Sequence, residues 1–367
     1  MRSAGSETIN ILVAPLDWGM GHVTRCIPII DQLLTYNCRI WLAGDGTGFR
    51  VLQKEFPQLP VFSLKGYRVF YQKAKKNFSV NILSQLPRLM RTVRYERKWL
   101  EQFIETHTID IVISDNRFGL YSSKAYTVFI THQLSIKTGL GTWADHLARR
   151  INYYFIKKFN ECWIPDYQGE NNLAGELSHP PVLPLNTRYI GTLSRFKKQD
   201  LPQQYDLLVI LSGPEPARTE FENRLLKELA DFKGTVLFVR GTDSPLSHEM
   251  HHASIVNLMT SASLNEALNA SEWVICRSGY TSVMDLVKLQ KKAILVPTPG
   301  QPEQKYLAQV LQRKGIFYCI PEKDFLLAPV LKQAAVFPYH FNRLAGCASY
   351  EEHIKELLEK VRKRLQK

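Results

Sequence analysis

The sequence lacks several features that would place it in common classes of protein. It contains no run of about 18 apolar residues, so no transmembrane helix is predicted. Residues 1–7 lead into a strand pattern without the apolar segment of a secretory signal peptide. The six cysteines form no Cys-x-x-Cys pair and are scattered along the chain. We therefore expect a cytoplasmic protein whose cysteines are reduced and structural.

The sequence does have the composition of a globular protein with an anionic partner. Its 367 residues are enough for two domains, and 45% of them are hydrophobic while 22% are charged. The net charge is +13. Ten basic residues and a single acidic one, Glu96, lie between Lys65 and Lys98, interleaved with aromatic and aliphatic residues. This asymmetry predicts a positively charged surface.

We interpret the Lys65–Lys98 segment as a surface that docks on anionic lipid headgroups. A helix from Pro87 to about Glu105 would place four basic side chains on one face, namely Arg88, Arg91, Arg94 and Lys98. A basic helix face that merely contacts solvent is the alternative. No nucleic-acid partner is predicted, because zinc spacings, a ribonucleoprotein motif and a basic tail are all missing.

Alternating strand and helix patterns predict the fold class. Apolar strands are expected at 9–15, 39–43, 61–64, 109–114, 127–130 and 162–165, and then at 207–211, 235–239, 254–259, 273–276 and 293–296. Strands that are buried on both faces and separated by helices indicate parallel sheets of βαβ units. The expected fold is α/β, with two Rossmann-like domains whose parallel sheets face across a cleft and a closing C-terminal helix.

The predicted domains span 1–195 and 196–345, and an amphipathic helix covers 346–367. Pro, Gly and polar residues between Ser178 and Leu201 favour an interdomain linker there. The closing helix is indicated by apolar residues at helical spacing, which are Ile354, Leu357, Leu358, Val361 and Leu365.

Polar and glycine-containing loops follow the ends of the predicted strands. Ligands of such sheets bind beyond the carboxyl ends of the strands. The most informative loop lies in Val274–Leu286, where a strand, the turn Arg277-Ser278-Gly279 and a helix N-terminus would favour a phosphate. Asp285, one turn into that helix, could accept hydrogen bonds from a ribose. An ordinary strand-to-helix turn is the alternative.

Two blocks of the sequence resemble glycosyltransferase family 28, which has the GT-B fold and includes enzymes of peptidoglycan-precursor and galactolipid synthesis. Residues 19–23, Gly-Met-Gly-His-Val, are similar to the family's glycine-rich loop ending in Gly-His. Residues 276–285 and 296–304 are similar to its nucleotide-sugar site. The match is incomplete, because Asp17 and Trp18 precede Gly19, Lys305 replaces a glutamine, and Asp285 stands where Glu is frequent.

The resemblance implies an inverting, metal-independent transfer of a sugar from a nucleotide diphosphate donor, expected to be a UDP-sugar, to an acceptor hydroxyl that is lipid-linked or membrane-associated. The first domain would then bind the acceptor and the second the donor, at the inner face of the membrane. Asp285 would hold the ribose and Glu303 and Gln304 the sugar. The implied donor-binding set is Gly19, Gly21, Ser212, Gly213, Arg277, Ser278, Gly279, Thr281, Asp285, Gln301, Glu303 and Gln304.

Three residues at strand ends are candidates for the chemistry. His22 is the first choice as general base, because histidine suits neutral pH; it could instead bind a donor phosphate or cap the following helix. Asp115 is the competing base, with an Asx turn as its structural alternative. His132 would lie on the acceptor side or be a satisfied loop histidine. Arg277 could help to hold the diphosphate or be structural.

Other functions are less well supported by the motifs. No Asp-x-Asp occurs, and His248–His252 fits His-Glu-x-x-His over barely one helical turn, so neither a metal nor a cofactor is predicted. A nicotinamide-dependent dehydrogenase is not predicted, because no full Gly-x-Gly-x-x-Gly occurs with an acidic residue about 20 positions later. A nucleotide-sugar 2-epimerase of the same architecture and a non-catalytic sugar-nucleotide-binding subunit remain open.

Overall fold

The computed structural model describes residues 8–17, 19–67, 86–245, 253–344 and 349–366. The chain divides into two compact units between Ser194 and Arg195. Unit 1 contains the described residues up to Ser194 together with those after Gly346, and unit 2 contains the described residues from Arg195 to Ala345.

Unit 1 is built on a parallel sheet of seven strands in the order β3-β2-β1-β4-β5-β6-β7. The strands are β1 Ile9–Pro15, β2 Cys38–Gly44, β3 Val61–Ser63, β4 Ile111–Asp115, β5 Tyr126–Ile130, β6 Glu161–Ile164 and β7 Thr187–Tyr189. Every residue of β1, β4 and β5 is buried, as their continuous apolar sequences predict. The strand order reverses between β1 and β4, which is where ligands bind in open α/β sheets.

Four helices connect these strands in the described part of unit 1, and they are α1 Met20–Leu34, α2 Gly46–Glu55, α3 Leu86–His107 and α4 Thr142–Ile156. The α3 helix confirms the helix predicted after Pro87. The α2 and α4 helices were not predicted, because each follows a glycine-containing stretch that is typical of a loop. Asp45 caps α2 through a hydrogen bond that its Oδ1 accepts from the Gly46 N–H (2.8 Å).

Unit 2 has a six-stranded parallel sheet in the order β10-β9-β8-β11-β12-β13. Its strands are β8 Tyr205–Ile210, β9 Val236–Val239, β10 Ala253–Val256, β11 Ser271–Cys276, β12 Ala293–Leu295 and β13 Tyr318–Cys319. Its described helices are α5 Ala217–Leu229, α6 Ser261–Asn269, α7 Tyr280–Leu289, α8 Pro302–Arg313 and α9 Leu327–Ala335. The order reverses between β8 and β11, so this sheet also has a switch point.

The chain returns to unit 1 through α10, Tyr350–Leu365. Ile354, Leu357, Leu358 and Val361 are buried, as the helical spacing predicts, whereas Leu365 is 38% exposed at the last turn and was wrongly placed on the buried face. Two ion pairs within unit 1 hold the polar side of α10: Lys360 with Glu161 (2.9 Å) and Glu356 with Arg188 (2.7 Å).

The alternation of strands and helices confirms the predicted α/β class, with parallel sheets in both units. Some boundaries were wrong. Residues 187–189 form β7, so part of the predicted linker belongs to the first sheet. The strand expected at 254–259 ends at Val256, and β13 and the helices α8 and α9 were missed. In the described residues, no helix is both long and apolar enough to span a membrane.

Candidate functional site

His22 lies at the carboxyl edge of the first sheet, immediately after β1. Gly19 has a φ of 89°, a left-handed conformation that favours glycine, and α1 begins at the next residue. Gly21 and His22 therefore occupy the first turn of α1 and not the loop that the sequence predicted. This placement points the start of α1 across the switch point between β1 and β4.

Arg25, one turn after His22, forms a buried ion pair with Asp115 at the end of β4. Its Nε donates to Asp115 Oδ2 at 2.6 Å, and its Nη2 donates to Asp115 Oδ1. Arg25 is 2% exposed and Asp115 is completely buried. Removing one partner of such a pair typically costs about 3–5 kcal/mol, because an uncompensated charge stays buried.

The same guanidinium contacts both candidate histidines. Arg25 Nη2 lies 2.7 Å from His22 Nδ1, and Arg25 Nη1 lies 3.2 Å from His132 Nδ1. His22 Nδ1 is also 3.3 Å from Asp115 Oδ1, a longer contact. The structure thus brings together the three residues that the sequence proposed for the chemistry and adds a fourth, Arg25, at their centre.

The electrostatics of this cluster separate the roles of His22 and Asp115. Burial lowers the pKa of His22, the Arg25 charge lowers it further, and Asp115 opposes both. Burial alone would raise the pKa of Asp115, but Arg25 and His22 outweigh it and hold that pKa below its usual value. Neutral His22 and ionised Asp115 are therefore the expected states near neutral pH.

Only part of the cluster is accessible to a substrate. The His22 side chain is 18% exposed, whereas the Asp115 side chain is completely buried and both of its oxygens contact Arg25. Asp115 is the last residue of β4 and not the start of an Asx turn. His132, placed just after β5 as predicted, is 5% exposed. This geometry favours His22 over Asp115 as the group that meets an acceptor hydroxyl.

The carboxyl edge of the second sheet carries an open surface lined by glycines. Gly213 follows β8, Gly279 precedes α7, and Gly300 follows β12. A methyl group added at Gly279 or Gly300 would meet no atom of the described residues within 4 Å, and one at Gly213 would meet only Thr298 Oγ1, at 3.9 Å. Backbone amides at such positions can approach a bound ligand closely.

Thr298, beside Gly213, has an unusual hydroxyl. The residue is 2% exposed, and among the described residues its Oγ1 finds no hydrogen-bond partner. A buried hydroxyl in that state costs roughly 1–3 kcal/mol. A ligand oxygen or N–H group bound at the glycine-lined edge would satisfy it. Thr298 was not predicted as a site residue, because the Pro residues on both sides of it give no signal for a binding role.

Several predicted donor-binding side chains also hydrogen-bond the loops around them. Ser278 Oγ donates to the Gln304 carbonyl oxygen at 3.0 Å, and Gln304 Oε1 accepts from the Thr298 N–H at 2.9 Å. Gln304 Nε2 donates to Gln301 Oε1 at 2.6 Å. The segment predicted as a loop to Gln304 ends at Gln301, because α8 starts at Pro302 and contains Glu303 and Gln304.

Arg277 makes structural contacts in unit 2, and its Nε has no hydrogen-bond partner among the described residues. It is 1% exposed, its Nη1 donates to Glu322 Oε2 at 2.6 Å, and its guanidinium carbon lies 4.1 Å from the centre of the Phe221 ring. Asp285 and Thr281 lie in α7 as predicted, and Asp285 is 9% exposed one and a half turns from the helix start.

Arg25 could have been found from the sequence. It is an isolated charge three residues after His22 in a helix whose neighbouring residues Val23, Cys26 and Ile27 are apolar. A charge on such a face is buried and needs a partner. The His248–His252 segment and most of the Lys65–Lys98 segment, residues 68–85, lie outside the described residues.

Comparison with known proteins identifies the class to which this arrangement belongs. Residues 227–336 match the glycosyltransferase family 28 C-terminal domain. The UDP-N-acetylglucosamine–N-acetylmuramyl-(pentapeptide) pyrophosphoryl-undecaprenol N-acetylglucosamine transferase of Haemophilus ducreyi is 24% identical over 232 residues, 58% of this chain and 61% of that enzyme. The enzyme of the same name from Gloeothece citriformis is 23% identical over 340 residues, 89% of this chain and 86% of its own length.

Solved structures share the architecture at low sequence identity. The glycosyltransferase SnogD from Streptomyces nogalater has a TM-score of 0.67 and 12% identity, covering 97% of this chain and all of its own. Spinosyn rhamnosyltransferase SpnG in complex with thymidine diphosphate has a TM-score of 0.62 and 14% identity, covering 95% and 100%. The chain therefore has the GT-B fold of these glycosyltransferases. Residues 227–336, in its second unit, match the family 28 C-terminal domain that the sequence motifs indicated.

Proposed function

We propose that this protein transfers a sugar, with inversion, from a UDP-sugar to a hydroxyl of a membrane-associated or lipid-linked acceptor. The observation that carries the proposal is the family 28 C-terminal domain, whose glycine-lined sheet edge in unit 2 includes Asp285 and the unsatisfied Thr298 hydroxyl. The names of the Haemophilus ducreyi and Gloeothece citriformis enzymes include the UDP-sugar UDP-N-acetylglucosamine, and thymidine diphosphate is bound in one structural neighbour.

The donor would bind with its diphosphate at the N-terminus of α7. The first N–H groups of a helix have no intrahelical partner and lie at the positive end of its dipole. Gly213 and Gly279 leave room for phosphate oxygens close to the backbone. Asp285 is placed to accept hydrogen bonds from a ribose, and Thr298 would hydrogen-bond the nucleotide beside Gly213. These contacts require no metal ion.

His22 would act as the general base. As the acceptor oxygen bonds to the anomeric carbon, the bond from that carbon to the phosphate oxygen breaks, UDP leaves with the electron pair, and His22 Nε2 takes the acceptor proton. General-base catalysis contributes about 10²–10⁴-fold. Asp115 cannot take this role directly, because it is completely buried against Arg25.

An exposed apolar stripe beside basic residues on unit 1 supports the proposal of a lipid-linked acceptor. The exposed side of α4 carries an apolar stripe at helical spacing, formed by Trp143, Leu147, Ile151 and Tyr154, of which Trp143 is 67% exposed. Basic residues of α3, including Arg94 and Lys98, line a groove of about 510 Å³ together with Tyr154 and Lys158, and Glu101 and Glu105 line it as well. Apolar groups flanked by positive charge favour an anionic lipid surface. We place the protein on the cytoplasmic face of a membrane.

The proposal is tested by UDP binding, measured by calorimetry, and by UDP release in the presence of lipid-linked acceptors. Asp285→Ala should weaken UDP binding by about 1–3 kcal/mol, through the loss of charge-assisted hydrogen bonds. His22→Ala should retain UDP affinity while transfer slows by about 10²–10⁴-fold. Unchanged UDP affinity in Asp285→Ala would show that Asp285 does not bind the ribose. Wild-type turnover in His22→Ala would show that His22 is not the general base.

Asp206→Asn provides the matched control for the binding measurement. Asp206 lies near the start of β8, at the opposite edge of the same sheet, where its Oδ2 accepts a hydrogen bond from the Thr235 N–H (2.7 Å). This variant should bind UDP as the wild type does. Activity on the sugar nucleotide without any acceptor would instead indicate the epimerase alternative.

A further inference from the structure

Arg25 uses four N–H groups on three partners at once. Its Nε–H and one N–H of Nη2 point to Asp115. The other N–H of Nη2 points to His22 Nδ1, and an N–H of Nη1 points to His132 Nδ1. A guanidinium stays protonated in proteins and has no acceptor atom. Each imidazole nitrogen that it contacts must therefore offer a lone pair.

This requirement fixes the tautomer of His22. With the lone pair of Nδ1 directed to Arg25 Nη2 at 2.7 Å, the proton of the neutral ring must be on Nε2. A proton on Nδ1 would instead point at an N–H group of Arg25. The alternative hydrogen bond from Nδ1 to Asp115 Oδ1 has a longer distance, 3.3 Å, and the same oxygen already accepts from Arg25.

We propose that Arg25 is a positioning residue whose guanidinium holds His22 neutral with its proton on Nε2. His22 then presents a hydrogen-bond donor in the substrate-free protein. It becomes a base when Arg25 Nη2 leaves Nδ1 and the ring exchanges protons with solvent, so that Nε2 loses its proton and Nδ1 gains one. The new Nδ1–H then donates a hydrogen bond to Asp115. This inference rests on the proposed role of His22 as the base, and it adds that Arg25 controls when that role is available.

The other groups around His22 act in the same direction. Burial, Arg25 and His132 lower the pKa of His22, and among the described residues Asp115 of β4 raises it. Cys26 is the remaining titratable neighbour of Asp115, with Sγ 3.9 Å from Oδ2, and burial raises the pKa of its thiol well above the usual value. The thiol therefore stays neutral and adds no charge near His22. Arg25 is the cation that opposes protonation of His22.

The experiment is nitrogen-15 NMR of the histidine rings in the full-length, substrate-free protein, with His22 assigned from the spectrum of His22→Ala. Wild-type His22 should show a protonated Nε2 and an unprotonated Nδ1. In Arg25→Met, the buried Asp115 loses its arginine and keeps His22 as a nearby counter-charge, so both nitrogens of the His22 ring should be protonated near neutral pH. The midpoint of the acid limb in the pH profile of kcat/KM should move to a higher pH by at least about one unit.

Arg25→Lys keeps the charge if Arg25→Met does not fold. A single ammonium group cannot span Asp115 and both imidazoles, so a population with the proton on Nδ1 should appear. Arg218→Met removes a buried arginine that pairs with Glu222 in unit 2 and should leave the His22 signals unchanged. A wild-type ring with its proton on Nδ1, or a Lys variant with the wild-type tautomer and pH profile, would overturn the inference.

The NMR result is independent of turnover. If the wild type transfers no sugar to any acceptor but His22 shows its proton on Nε2, the proposed function fails while the role of Arg25 stands. If transfer is observed and the tautomer is the other one, the role of Arg25 fails alone.

Discussion

At the scale of single residues, the hydroxyl of Thr298 offers a prediction in which stability and binding change in opposite directions. Valine has nearly the same shape as threonine but no hydroxyl, and Thr298 Oγ1 is buried without a partner in the described residues. Thr298→Val should therefore raise the free energy of unfolding of unit 2 by about 1 kcal/mol while weakening UDP binding by about 0.5–1.5 kcal/mol. Hydrogen exchange in unit 2 and calorimetry measure the two effects.

Thr127→Val is the contrasting control. Thr127 is also fully buried, but its Oγ1 lies 3.2 Å from Asn160 Oδ1, so valine removes a satisfied hydrogen bond. This variant should lower the stability of unit 1 and leave UDP binding unchanged. Loss of stability in Thr298→Val would show that the hydroxyl is already hydrogen-bonded in the ligand-free protein. Undiminished UDP affinity would show that the hydroxyl has no role in the site.

The residues of the site differ in how far the sequence revealed them. His22, Asp115, His132 and Asp285 were predicted because each follows a strand end or a glycine turn, and strand ends meet at one edge of a parallel sheet. Arg25 could have been recognised as a buried charge, but its partners at the ends of β4 and β5 are distant in sequence and could not be named. The side chains of Ser278 and Gln304 were assigned to a ligand, but each is satisfied by a neighbouring loop.

At the scale of elements, α3 and α4 together present basic and apolar side chains on the surface of unit 1. Glu96, the single acidic residue of the basic segment, is completely buried and pairs with the buried Arg117 at 2.9 Å. It therefore does not offset the exposed charges of Arg88, Arg91 and Arg94. The sequence indicated the basic face of α3, whereas the apolar stripe of α4 was missed because no helix was predicted there.

We predict that both parts of this surface are needed for binding to vesicles that contain anionic lipid. Charge reversal of Arg88, Arg91 and Arg94 should abolish co-sedimentation at low salt, because each basic group near such a surface contributes about 1 kcal/mol. Trp143→Ala with Leu147→Ala should weaken binding at all salt concentrations by roughly tenfold or more, because burying one such side chain is worth about 1.5–3 kcal/mol.

Leu185→Ala is the control for exposed apolar area, since Leu185 is fully exposed in unit 1 and lies outside α3 and α4. It should bind vesicles as the wild type does. Undiminished co-sedimentation of the charge-reversed protein would contradict the proposal that this surface binds anionic lipid. Equal losses of vesicle binding in the Leu185 and Trp143 variants would show a nonspecific effect of exposed apolar area.

At the scale of the whole molecule, the chain crosses from unit 1 to unit 2 and ends on unit 1 again. The sequence predicted α10 from its apolar spacing but could not show which unit it packs on, because that depends on partners such as Glu161 and Arg188. The two parallel sheets were predictable because their strands are continuously apolar. The seventh strand was missed because β7 is short and only half-buried.

The return of α10 predicts that a core substitution near the end of the chain destabilises unit 1 and leaves unit 2 intact. Leu358 is 1% exposed, and its replacement by alanine should cost about 2–5 kcal/mol, because the cavity cannot fully collapse. In Leu358→Ala, hydrogen exchange should accelerate in β1, α1 and β6 but not in β8, α7 or β11. The exposed Glu359→Ala on the same helix should change neither set.

Ligand binding should have the complementary effect on the same measurement. UDP at about 100 times its Kd stabilises the unit that binds it by about 2.7 kcal/mol. If the donor site lies within unit 2, UDP should slow exchange in α7 and β11 equally in the wild type and in Leu358→Ala. Protection by UDP that disappears in Leu358→Ala would show that the donor site depends on the packing of α10, and hence that unit 2 does not bind the nucleotide on its own.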